Sequence, residues 1–464
     1  MIRSILVIII ILVIIIVACR EKETLVAVVN AERSAASPDW AKSANIYEVN
    51  IRQYTPEGTL NAFAPHLPRL RNMGVDILWL MPIFPISEAR RKGTLGSYYA
   101  VADFTKVNPL FGTIEDFQTL LRQAHDLGMK VVLDWVPNHT GWDHPWITDH
   151  PEYYTQNDKG EIIDPIDPKT GEPWGWTDVA DLNYDHAEMR KAMIADMIFW
   201  LKEIGIDGFR CDVASEVPDA FWQEAIPQLR AARPDVFMLA EAEHPPHRNN
   251  ELFAMSYGWS FHHLMNEIAQ GKKKASDITT WYKKDRSLFT TGYHMNFITN
   301  HDENSWNGTE FERMGEAVDA MAVLAFTYDG MPLMYSGQEA AFNRRLKFFE
   351  KDEIEWGSFT KQNFYKTLLE LKHRNQALWN GADGGEPMRI KAGADDAVFA
   401  FYREKNNHKA IILLNLSKQP QSITLNDKNV IGDFTNVFAN STVSITKGMT
   451  MEINPWGYVV LSNR

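Results

Sequence analysis

From residue 45 onward, short apolar runs alternate with longer amphipathic stretches. The runs cover 46–49, 75–80, 130–134, 206–210, 236–240, 295–299 and 331–335. Near-continuous hydrophobicity over so few residues is what a strand covered on both faces requires. Between them, apolar positions recur at helical spacing over 62–73, 114–128, 187–204, 218–232, 313–327 and 359–378. Gly128 and Gly205 stand where two of these helices should stop. The stretch 255–261 is the weakest strand of the series. Roughly eight β-then-α units predict a (β/α)₈ barrel, an α/β fold. A doubly wound open sheet is the alternative, but no glycine-rich phosphate loop follows the first strand.

Two segments break the rhythm. Residues 140–185 carry little periodicity and many Trp, Asp, Pro and Gly residues. A loop of that length is usually functional. Following the third strand, it would rise over the catalytic face as a small loop domain. After about residue 380 the pattern becomes alternating, over 397–402, 410–414, 422–425 and 458–461, with Asn406-Asn407 as a turn. This predicts a C-terminal antiparallel β-sandwich. The expected domains are a barrel over 45–380, interrupted by the loop domain 140–185, and a sandwich over 381–464.

The N-terminus reads differently. Arg3 precedes an apolar run over 5–18, shorter than the roughly 20 residues a membrane helix needs. It fits the core of a secretory signal. Ile16-Val17-Ala18-Cys19 resembles a bacterial lipobox, in which Cys19 becomes the lipidated first residue of the mature chain. An ordinary signal or an uncleaved anchor is the alternative. The lipobox reading makes 1–19 a signal peptide and 20–44 a tether. It also makes the protein exported and lipid-anchored to the cell envelope.

Composition narrows the function. The 464 residues are 45% hydrophobic and 23% charged, which excludes bulk disorder. A formal net charge of −13 argues against a nucleic-acid partner. Two cysteines exclude a disulfide scaffold. Fifteen Trp, 15 Tyr and 24 Phe suit either a large core or a ligand with flat apolar faces, such as a sugar.

Catalytic groups of such a barrel lie at the C-terminal ends of its strands. The third strand ends Asp134-Trp-Val-Pro-Asn138-His139, and the fourth ends Phe209-Arg210-Cys211-Asp212. The fifth ends Leu239-Ala240-Glu241, and the seventh ends Thr299-Asn300-His301-Asp302. One such acid is ordinarily a cap or turn residue. Repeated in register, they converge on one mouth. Paired carboxylates suit glycoside hydrolysis, with one acid protonating the leaving oxygen and another attacking or activating water. Arg210 and Asp212, two apart on a strand, face the same side, so the cation would hold Asp212 ionised. Glu241 follows Leu239 and Ala240, where burial would raise its pKa toward acid duty.

These motifs, in this order, resemble glycoside hydrolase family 13, the α-amylase family, across nearly all of 45–464. The four are Asp134 to His139, Gly208 to Asp212, Glu241 in Leu-Ala-Glu-Ala-Glu, and Phe297 to Asp302. Ala180-Asp-Leu-Asn183 and Gly330 to Glu339 match flanking patterns. The resemblance implies Asp212 as nucleophile, Glu241 as acid/base and Asp302 as transition-state stabiliser, in a retaining double displacement. Tyr99, His139, Arg210 and His301 would shape the subsite before the scissile bond. Asn138 and Asp181 match positions that hold a structural calcium, Ca²⁺; the alternative is that both merely hydrogen-bond the loop domain to the barrel. Ser215 and Glu216 depart from the Lys and His frequent in the family's amylases. The implied substrate is an α-glucan or malto-oligosaccharide joined mainly by α-1,4 bonds. A neopullulanase-, cyclomaltodextrinase- or α-1,6-type activity, and a transglycosylase or isomerase, share the same acids. A non-catalytic glucan-binding protein would lack one of them. Glu243 and His244 are read as contacts for acceptor sugars, Trp142, Trp146, Trp174 and Trp176 mostly as packing, and His262-His263 as lacking a third zinc ligand.

Overall fold

The computed structural model describes residues 34–167 and 170–464. Cys19, the segment 1–19 and the first part of the expected tether lie outside the described residues. Eight parallel strands close into a barrel: β1 (Ile46–Val49), β2 (Ile77–Leu80), β3 (Lys130–Trp135), β4 (Gly208–Cys211), β5 (Phe237–Ala240), β6 (Met255–Tyr257), β7 (Tyr293–Asn296) and β8 (Met331–Tyr335). Each pairs with its neighbours in sequence, and β8 returns to β1 through Ile46↔Leu333. The weak run at 255–261 divides: three residues form β6, and a helix starts at Trp259. The seventh strand lies slightly earlier than its apolar run, so Phe297 to Asp302 become the loop above it.

The pleat sorts side chains into two cores. Ile46, Ile77, Trp79, Val132, Leu239 and Met295 fill the barrel interior. Their neighbours Tyr47, Leu78, Leu80, Val131, Leu133 and Met238 face the surrounding helices. Alternation with period two therefore decides direction. Glu48, Asp134, Arg210 and Glu241 share the parity of Ile46, Val132, Gly208 and Leu239, so all four are aimed along the inner face toward one end.

The helices that wrap the barrel are α1 (Leu67–Met73), α2 (Ile114–Asp126), α3 (Ala187–Phe199), α4 (Asp219–Ala232), α5 (Pro245–Asn249), α6 (Trp259–Ala269), α7 (Asp277–Leu288), α8 (Val318–Thr327) and α9 (Gln362–Arg374). Helix α2 shows how local chemistry sets an element. Thr113 accepts from the Asp116 amide, and the Asp116 carboxylate accepts from the Thr113 amide. Phe117, Leu120, Leu121 and Ala124 form its buried face.

Residues 34–44 are not a free tether. Ala36, Ala41 and Ala44 are buried against the barrel interior, and the Asn380 side chain donates to the carbonyls of Ala41 and Ala44. Small side chains let this segment plug the barrel's N-terminal end.

The C-terminal region is a sandwich of a six-stranded and a two-stranded antiparallel sheet. Its strands are β9 (Met388–Ile390), β10 (Val398–Lys405), β11 (His408–Asn415), β12 (Gln421–Leu425), β13 (Gly432–Asn436), β14 (Ser441–Ile445), β15 (Met449–Ile453) and β16 (Tyr458–Ser462). Asn406 and Asn407, at φ 48° and 64°, make the tight turn between β10 and β11. Ile423 and Ile453 from the small sheet pack with Ala400 and Leu413 from the large one. The opposite face of β10 and β11, through Phe399, Phe401 and Ile412, joins the barrel's outer core. Buried Arg403 donates to the carbonyls of Tyr328 (2.7 Å), Trp379 (2.8 Å) and Gly385, satisfying backbone oxygens at this junction.

Candidate active site

A cavity of about 330 Å³ opens at the C-terminal ends of the strands. Asp212, Glu241, Asp302, Tyr99, His139 and His301 all line it. Beneath them, fully buried Arg210 gathers three carboxylates. Its Nη1 lies 2.8 Å from Asp134 Oδ1 and 2.7 Å from Asp212 Oδ1, and its Nη2 lies 2.8 Å from Glu241 Oε2. The guanidinium Nε donates to the Tyr257 hydroxyl at 3.1 Å. Arg210 is therefore shared, rather than devoted to Asp212 as the strand spacing alone implied. A planar, permanently charged fork suits this task as no ammonium would.

The sharing changes the electrostatics. Burial raises the Asp212 carboxyl above its ordinary range, outweighing the pull of Arg210, and a hydrogen bond with Glu241 lowers it. Burial also raises Glu241, with Asp212 adding to the rise and Arg210 opposing it. The two acids are thus both lifted, not driven in opposite directions. Glu241 Oε2 accepts from the Val213 amide at 2.8 Å. Val213 has φ 36°, a conformation costly for a β-branched residue, so the turn that presents its N–H to Glu241 is held under strain.

Asp302 follows His301 on the loop beyond β7, and its carboxyl is raised by burial and by Glu241, against His301. His301 is bound on both sides. Its Nδ1 meets Glu48 Oε1, and its Nε2 lies 2.7 Å from the Tyr99 hydroxyl and 3.3 Å from Asp302. Burial pulls the imidazole down, but Asp302 and Glu48 more than offset it, to about 9. His301 is an imidazolium at neutral pH. His139, by contrast, is lowered to about 4 by burial and stays neutral. The Tyr99 hydroxyl also reaches Asp134 Oδ2 at 3.0 Å, and its ring stacks on Phe348 at 6.2 Å and 9°.

Several residues in or beneath the cavity were not singled out in the sequence. Glu48 lies inside an apolar run, and its only signal was a charge interrupting that run. Trp306, Phe348 and Phe349 come from loops beyond β7 and β8, with no local pattern to mark them. Trp176 lines the cavity and stacks on half-exposed Trp174 at 5.7 Å and 17°, so this pair is a ring platform. Trp142 and Trp146 pack against the core. Glu243 and His244 do not reach the cavity. Glu243 accepts from the amide and hydroxyl of Ser260 at the start of α6, and His244 turns to Asp219. Asp103 caps its own loop through Thr105 and pairs with Lys106.

Asn138 precedes the short strand His139–Gly141 and Asp181 ends the short strand Val179–Asp181; the two strands root the loop domain, and His139 pairs with Asp181. The Asp181 carboxyl is raised to about 6 by burial, with Asp164 adding to the rise. Among the described residues no Lys or Arg pairs with it. A hydrogen bond with Thr155 opposes that rise, and carboxylate and side-chain amide oxygens are the ligand types that calcium takes.

Three carboxylates on the inner mouth of a (β/α)₈ barrel, walled by aromatic rings, define a glycoside hydrolase of the barrel class. The particular family follows from comparison with known proteins. The chain belongs to the α-amylase family: residues 30–383 match the family model of the alpha amylase catalytic domain, and residues 398–460 match that of the alpha-amylase SusG C-terminal domain. It is 29% identical over 424 residues to alpha-amylase MalA of Haloarcula japonica, covering 87% of this chain but 60% of that longer one. The solved alpha-amylase of Lactobacillus plantarum is 27% identical, with a TM-score of 0.80 over 92% of this chain and 100% of its own. The maltogenic alpha-amylase AmyB of Thermotoga neapolitana is 26% identical, with a TM-score of 0.81 over 91% and 99%.

Proposed function

We propose that the enzyme cleaves α-1,4 bonds of starch-type glucans or malto-oligosaccharides with retention of configuration. Asp212 attacks the anomeric carbon while Glu241 protonates the leaving oxygen. Glu241, then ionised, activates the water that releases the glycosyl group. Asp302 holds sugar hydroxyls as positive charge develops on the ring. The imidazolium of His301 and neutral His139, with Tyr99 beneath the ring, orient the sugar before the scissile bond.

One observation carries the retaining mechanism: one guanidinium holds both carboxyls, Asp212 on Arg210 Nη1 at 2.7 Å and Glu241 on Nη2 at 2.8 Å. Inverting pairs stand roughly 6.5–9.5 Å apart to admit a water, whereas retaining pairs stand about 5–5.5 Å apart. Two carboxyls gripped by the two terminal nitrogens of one fork support the closer spacing. Asn138 and Asp181 would hold a structural calcium that braces the root of the loop domain and neutralises Asp181; no catalytic step runs through it. The signal pattern supports export and a lipid anchor at Cys19.

The test is stereochemical and mutational. Proton NMR of fresh maltoheptaose products should show the α-anomer first, and Asp212→Asn should lower turnover by several powers of ten with the fold intact. Immediate β-product, or near-native hydrolysis by the variant, removes the assignment.

A further inference from the structure

We propose that Asp219, His244 and His247 form a binding site for a divalent transition-metal ion of the zinc type, outside the catalytic cavity. Asp219 is the first residue of α4, His244 immediately precedes α5, and His247 lies within α5. One ligand atom from each lies within 4.8 Å of the others. His244 Nε2 is 3.0 Å from Asp219 Oδ2, and His247 Nε2 is 3.1 Å from Asp219 Oδ1.

The two His–carboxylate separations, each to its own oxygen of Asp219, are close to those a metal demands. Imidazole nitrogen and carboxylate oxygen bind zinc at about 2.0–2.2 Å, so neighbouring ligand atoms on a tetrahedral ion stand about 3.3 Å apart. Two imidazoles and one carboxylate favour zinc over calcium or magnesium, which prefer oxygen alone. Three protein ligands leave a fourth position for water.

A second observation is independent of this spacing. His247 is fully buried, yet neither of its ring nitrogens makes a hydrogen bond of acceptable geometry. A buried imidazole with no well-aligned hydrogen bond is costly. The ring is held between Trp222 and Phe253, with centroids at 6.5 and 5.0 Å, so its orientation toward Asp219 is imposed by packing. The His244 ring is oriented by its own hydrogen bond to Asp219. A metal would replace the poorly aligned approach of His247 Nε2 to Asp219 Oδ1 with a directed ligand bond.

The site has a structural consequence. Strand β4 leads through Asp212 into α4, and β5 leads through Glu241 into α5. An ion held by Asp219, His244 and His247 would fasten the two loops that follow the working carboxyls. The sequence carried a partial signal in His244-Pro-Pro-His247, but its third ligand lies 25 residues earlier in the chain.

The experiment uses purified protein stripped with a chelator and titrated with Co²⁺, then Zn²⁺. Wild type should bind one Co²⁺ with visible d–d absorption bands, which Zn²⁺ displaces, and Zn²⁺ should raise its Tm. Asp219→Ala and His244→Ala remove side chains that are each more than a third exposed, so the apo fold should persist, checked by apo Tm. Each should weaken Co²⁺ binding at least tenfold and abolish the Zn²⁺-induced rise; His247→Gln should do the same. No stoichiometric binding by wild type, or binding and Tm response unchanged in the variants, would overturn the site.

Discussion

Glu241 must carry a proton when the leaving oxygen departs, and Asp212 must have lost its own. Both carboxyls are raised by burial, so both limbs of the rate profile move upward together. Below the raised value of Asp212 the nucleophile is protonated and idle. Above the raised value of Glu241 the acid has lost its proton. Activity should therefore show a bell-shaped dependence of kcat/KM on pH, with both limbs displaced upward from where ordinary carboxyls would put them. Glu241→Gln cannot donate a proton, so it should cripple glucan cleavage by several powers of ten. It should do far less harm with an α-glucosyl fluoride, whose leaving group needs little protonation. Equal losses on both substrates would make Glu241 a binder or a structural residue. The strand ends at Asp134, Arg210, Asp212 and Glu241 were legible because each breaks or ends an apolar run. The distribution of Arg210 over three carboxylates was not. It depends on β3, β4 and β5 lying side by side, with Asp134 opposite Arg210 and Arg210 opposite Leu239.

At the scale of elements, local chemistry and apolar period agree over 114–128 and 218–232, whereas 62–73 and 313–327 are interrupted by single 3-10 turns at Ala64–His66 and Gly315–Ala317. Helix α2 starts at its capping box and presents one buried face, as its period demands. Thr113→Ala removes one half of that box and should cost about 1 kcal/mol. Urea unfolding should show a lower midpoint at unchanged slope, and Thr113→Ser should restore most of the loss. No change in midpoint would mean that tertiary packing alone sets the start of α2. Short elements were harder to read. The run at 255–261 mixes a three-residue strand with a helix start, and a period cannot be defined over so few residues. Residues 34–44 looked like linker because they are small and polar; smallness is what lets them enter the barrel floor.

At the scale of the whole molecule, a lipid on Cys19 would tether the enzyme to a membrane. Cys19→Ser should then leave the precursor unprocessed or release the protein from membranes, read by fractionation and mature mass. Unchanged membrane association and mass would defeat the anchor. Sequence by itself determined the architecture, because a buried parallel strand needs an unbroken apolar run and the chain supplies seven clear ones in order. It also determined which residues reach the barrel mouth, because pleat parity and strand ends are both written locally. Tertiary structure alone decided what those residues do to one another. It placed Glu48 against His301 across the barrel, 253 positions apart, and turned that histidine into a cation. It lifted two acids that the sequence placed on opposite courses, because burial acts on every carboxyl in the cavity while one guanidinium is divided among three. It also brought Asp219 to His244 and His247, since the approach of two loops is set by neighbouring strands and by no pattern within either loop.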